Sequence, residues 1–133
     1  MIPLNFNLLL FISLILCLNQ NESQQVPYAP KRYVFTWQKA NGDQYEIPVK
    51  NNLEVKIEQK RIDRALMQVL LKSVLKSRDF ETFNPTQVTL FPDVDNMVAK
   101  LDFTVIGNGV EEQELTYYFN FDAYGNVFDQ FKF

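Results

Sequence analysis

Asp93, Asp95 and Asn96 are spaced like the opening of a calcium loop. Such a loop needs a further oxygen ligand at its fifth position and glycine at its sixth, and Met97 and Val98 stand there instead. A turn closed by the Asp side chain is the better reading. The chain contains no His and one Cys. It therefore has no imidazole base, no Ser-His or Cys-His nucleophile, no internal disulfide and no zinc site built from Cys and His. Cys17 follows Leu16, where a lipidation site prefers a small residue. No metal and no cofactor is expected.

What remains is charge and aromatic surface. Residues 31–78 carry 11 basic and 5 acidic side chains, and residues 79–133 carry 2 basic and 10 acidic. The net charge of −3 is too small to imply a nucleic-acid partner. Arg64, Lys72 and Lys76, with Gln68 between them, recur every four residues and share one ridge of a helix. That ridge is a solvated face or a seat for an anionic partner, and the solvated face is the simpler reading. Eight of the last 17 residues are aromatic. Most supply a core. Tyr118 and Phe128 fall out of phase with their aromatic neighbours, which predicts an outward position on a sheet. There they would meet a protein partner or a second copy of the chain.

The elements that position these residues follow from periodicity. Tyr33, Phe35 and Trp37 alternate, as do Tyr45, Ile47 and Val49, and Asn41-Gly42 between them signals a two-residue hairpin turn. Pro48 predicts that the second strand is an edge or stops there. Leu53, Val55 and Ile57 alternate as a third strand. The period then becomes helical. Ile62, Leu66, Val69, Leu70 and Val74, joined by Ala65, Met67, Leu71 and Leu75, predict one helix over residues 59–77 with a broad apolar arc buried on a curved sheet. After Pro85 the period returns to two, with strands around residues 88–90, 97–105, 115–121 and 127–133. Short turns join them, which reads as an antiparallel meander. The class is α+β: an N-terminal β-hairpin, one long helix, and a curved antiparallel meander sheet.

Residues 8–18 form an 11-residue apolar run inside an uncharged N-terminal stretch. A membrane-spanning helix needs about 20 such residues and a signal-peptide core roughly 7–15. Residues 1–22 are therefore read as a signal peptide, with an uncleaved membrane anchor as the alternative. Residues 23–32 read as a flexible lead-in and residues 33–133 as one domain. The expected location is secreted, or membrane-anchored if the first segment is retained. Asn21-Glu-Ser23 is a glycosylation acceptor triplet.

Two stretches resemble the NTF2-like and cystatin-like superfamily. Leu75-Lys-Ser-Arg-Asp-Phe-Glu-Thr-Phe83 is similar to the helix-to-strand corner of NTF2-like domains. Leu115-Thr-Tyr-Tyr-Phe-Asn-Phe-Asp-Ala-Tyr-Gly-Asn-Val127 is similar to their penultimate strand and its turn into the last. The resemblance implies a helix cupped by long curved strands. It also implies that an enzyme of this type would use an Asp with a nearby Tyr hydroxyl, for which Asp102, Tyr117 and Tyr118 are the available set. Asp102 alternates with Leu101 and Phe103, so if those face the helix Asp102 is solvated and chemically dull. The cystatin inhibitor signature Gln-x-Val-x-Gly does not occur. The expectation is a secreted, non-enzymatic binding domain. It would act through its sheet face on a protein, or through a helix–sheet pocket on a small apolar ligand. The alternatives are a small enzyme using the pocket pair Asp102 and Tyr117, and a membrane-anchored accessory subunit.

Overall fold

The computed structural model describes residues 27–78, 81–107 and 111–131. Residues 1–26, which include Cys17 and Asn21, and Phe133 lie outside them. The elements are β1 (Arg32–Gln38), β2 (Gln44–Asn51), α1 (Gln59–Ser77), β3 (Asn84–Pro92), β4 (Met97–Gly107), β5 (Glu111–Phe121) and β6 (Val127–Phe131). One helix packs against a curled, six-stranded mixed sheet that forms a half-barrel, so the fold is α+β.

The strands lie in chain order across the sheet. β1 pairs antiparallel with β2, and β3, β4, β5 and β6 pair antiparallel in succession. The join between these groups is parallel, Val49, Lys50 and Asn51 facing Val88, Thr89 and Leu90. The sheet as a whole is therefore mixed: the four strands after the helix pair antiparallel in succession, and the β1–β2 pair joins them in parallel. The cause is α1, which carries the chain from the end of β2 back over the sheet, and a crossover of that kind returns the next strand in the same direction. Pro48 neither ends β2 nor marks a sheet edge. It lies just outside the three-residue parallel register, where β3 offers no ladder partner.

Two further expectations change. The β1–β2 turn has five residues between its last paired positions, Gln38 and Gln44, with the Lys39 N–H donating to the Asp43 carbonyl at 2.8 Å. Asn41 Oδ1 accepts from the Asp43 N–H at 3.0 Å, and Gly42 sits at φ 100°, a conformation that glycine adopts without strain. Residues 53–57 form no strand despite their alternation. Their neighbourhood is bonded to residues 27–31 instead: the Ala29 N–H donates to the Ile57 carbonyl, Tyr28 bridges Glu58, and the Gln59 N–H donates to the Pro27 carbonyl. The described part of the lead-in is thus fastened to the start of the helix.

The core lies between α1 and the concave face of the sheet. Ile62, Ala65, Leu66, Val69 and Leu70 are fully buried, in one cluster with Leu101, Phe103 and Phe119. Aromatic rings cross beneath the helix in a chain of contacts. Trp37 meets Phe83 at 5.8 Å between centroids, Phe83 meets Phe103 at 4.8 Å, and Phe103 meets Tyr117 at 4.8 Å. At its C-terminus α1 stops at Arg78, which takes a left-handed φ of 62° and donates its N–H to the Val74 carbonyl.

Candidate functional site

The helix buries only about half of its circumference. Its inward face runs from Ala65 through Val69, Ile62, Ser73, Leu66 and Leu70 to Val74. At 100° per residue, Leu75 lies on the far side of the helix from Leu66. Met67, Leu71 and Leu75 are accordingly 50 %, 60 % and 69 % exposed. This corrects the expectation that the whole apolar arc packs on the sheet. The arc is wider than one sheet can cover, and its edge emerges as a stripe at i, i+4 and i+8.

The stripe borders a groove of about 360 Å3 between α1 and the end of β1. Trp37, Lys39 and Ala40 line one wall and Met67, Leu71 and Val74 the other. Trp37 is 7 % exposed and held by Tyr45 and Phe83, so this part of the wall is rigid. Lys39 is buried, its ammonium donating to the Glu81 carbonyl at 3.3 Å and lying 4.9 Å from the Tyr45 ring centre. Lys39 thus lines the groove with its ammonium already held at Glu81 and Tyr45. Covering the three stripe residues would recover on the order of 3–5 kcal/mol of apolar burial.

On the other flank of the stripe runs the basic ridge. Arg64, Lys72 and Lys76 are exposed as expected. Gln68, between them, is not merely solvated. Its Nε2 donates to the Gly125 carbonyl at 2.9 Å, and its Oε1 accepts from the Val127 N–H at 3.1 Å. Lys76 lies 5.5 Å from the Tyr117 ring centre. Asp63, the one acid of the helix, accepts a hydrogen bond from the Tyr33 hydroxyl at 3.2 Å. The outward surface of α1 is therefore apolar and cationic.

Asp102 and Tyr117 are not brought together. In the β4–β5 register Leu101 faces Tyr117, whereas Asp102 faces Thr116. The Tyr117 ring packs on Phe103 and Phe119 under the helix, and burial raises its pKa above the ordinary phenol value. Asp102 is on the opposite face, accepting from the Thr116 hydroxyl at 2.6 Å. Alternation across a pleated strand forces this separation. Tyr118 shares the outer face with Asp102, pairing with Lys100 on one side and Phe131 on the other, and is half-buried. Phe128 is 46 % exposed. It sits where β6 bulges, two β6 residues opposing Asn120.

The Asp93 N–H bonds the Asn96 carbonyl in a tight turn. Among the described residues no group of three or more acidic, His or Cys side chains is arranged to hold a metal, and no helix is long and apolar enough to cross a membrane. Compared with protein-family models, curated proteins and solved structures, the chain shows no significant match.

Residue type alone does not mark Met67, Leu71 and Leu75 as surface, because exposed and buried apolar residues look alike in a sequence. Angular width was the available signal. An apolar arc that continues more than half-way round a helix leaves a part that one sheet cannot bury.

Proposed function

We propose that this chain is a secreted, non-enzymatic binding domain whose contact surface is the apolar groove between α1 and the β1–β2 turn. The observation that carries the proposal is the exposed stripe Met67, Leu71 and Leu75 beside a groove walled by a fixed Trp37. Apolar patches that stay open beside a preformed concavity are what partner surfaces are made of. The likeness to NTF2-like and cystatin-like domains stays part of this proposal, carried by the single helix lying across a curled sheet.

Leu71→Asp tests the groove. It should abolish retention of whatever copurifies with the native protein and leave the thermal unfolding midpoint within a few degrees of the parent. Undiminished retention would refute the proposal. Secretion has its own check: the intact mass of native protein should correspond to a start between residues 18 and 25, and a retained Met1 in a membrane fraction would contradict it.

A second contact surface, on the outer face of the sheet, is favoured by Phe128, which stays 46 % exposed, and by the half-buried Tyr118. Phe128→Lys should then weaken self-association or partner binding without unfolding the monomer, as read by sedimentation.

A further inference from the structure

The surroundings of the groove say what kind of partner it takes. α1 carries five basic residues and one acid, and that acid is engaged by Tyr33. The exposed cations Arg64, Lys72 and Lys76 lie in one row directly beside Met67, Leu71 and Leu75. Arg64 and Lys72 form no ion pair with any described residue. The pattern across the surface is thus concave apolar groove, apolar stripe, cationic ridge.

We propose that the groove accepts an amphipathic helical segment of a protein partner, with apolar side chains entering beside Trp37 and acidic side chains meeting Arg64 and Lys72. This rests on the groove being the binding surface. Apolar anchors at i, i+4 and i+7 of one helix fit a groove flanked by a second helix, and charges along the rim set orientation and exclude partners of the wrong sign. A bilayer surface is the poorer occupant. It would meet the convex ridge and leave the groove wall at Trp37, 7 % exposed, out of reach.

Trp37 is the chain's only tryptophan, so its fluorescence reports on the groove alone. The chain is titrated with a synthetic peptide of about 15 residues, long enough to form a helix. It carries Leu at i, i+4 and i+7 with Glu on the flanks. A second peptide has Lys in place of every Glu, and a third titrant is vesicles of anionic phospholipid. The Glu peptide should shift Trp37 emission saturably, and the Lys peptide should not. Raising ionic strength from about 0.01 to 0.15 M, which shortens the screening length from about 30 to 8 Å, should weaken the Glu peptide about tenfold. Arg64→Glu with Lys72→Glu should reverse the preference between peptides. Equal response to both peptides would leave the groove as a binding surface and overturn the acidic partner. A response to vesicles alone would overturn it in favour of a membrane contact. No response to any titrant would overturn it as well, and the Leu71→Asp experiment would still decide the groove separately.

Discussion

The Tyr33 hydroxyl donates to Asp63 Oδ1 across 3.2 Å and fastens the edge strand β1 to the helix that lies over the sheet. Burial raises the Asp63 pKa, and the bond from Tyr33 offsets part of the rise. Burial and the neighbouring Asp63 charge together hold Tyr33 far above the ordinary phenol range. Asp122 is shifted the other way, chiefly because its carboxylate accepts the Asn126 N–H and also the Tyr124 N–H.

These two carboxylates give opposite pH signatures. The fold disfavours the charged form of Asp63, so Asp63 subtracts stability as pH rises above the ordinary Asp value of 3.8. The fold favours the charged form of Asp122. Its contribution is present above 3.8 and is lost as pH falls through its lowered value. An NMR titration of carboxyl carbons should place the Asp63 midpoint above 3.8 and the Asp122 midpoint below it. The reverse order would mean that the Tyr33 bond outweighs burial.

Gly125 sits at φ 87° in the β5–β6 turn, against the helix. A Cβ there would overlap the Arg61 carbonyl. Gly125→Ala therefore combines a disfavoured conformation with a clash and should cost more than about 1 kcal/mol. It should also disturb the pair of bonds through which Gln68 holds the turn. Urea denaturation checks this, and an unchanged midpoint would mean that the turn stands off the helix in solution.

Leu70 and Leu71 are adjacent in the chain and opposite in environment, fully buried and 60 % exposed. Leu70→Ala should cost about 2–5 kcal/mol, the usual range for a buried leucine. Leu71→Ala should stay within about 0.5 kcal/mol, as exposed substitutions do. Equal losses in chemical denaturation would show that the stripe is packed after all.

The helix was legible to its ends because Ile62, Leu66, Val69, Leu70 and Val74 impose a period that no strand tolerates. Most strands were legible for the same reason. The parallel contact of Val49–Asn51 with Val88–Leu90 was not, since alternation tells a strand which face to bury and not which neighbour to take. Leu53, Val55 and Ile57 alternate as a strand would, yet Val55 is 61 % exposed and the Ile57 carbonyl is taken by the Ala29 N–H. At the candidate site, the cations Arg64, Lys72 and Lys76 were legible as one row. The groove beside them was not, because it depends on where the β1–β2 turn places Trp37 and Ala40 against the helix.

Site-specific photocrosslinking in the native protein tests the central claim most directly. A photoreactive residue is placed at Leu71 in the stripe, at the exposed Phe128 in the β6 bulge, or at Val94, which is 93 % exposed in a turn away from the groove. The account predicts an adduct to the partner from position 71 and none from position 94. Adducts from position 128 or 94 with none from position 71 would contradict it.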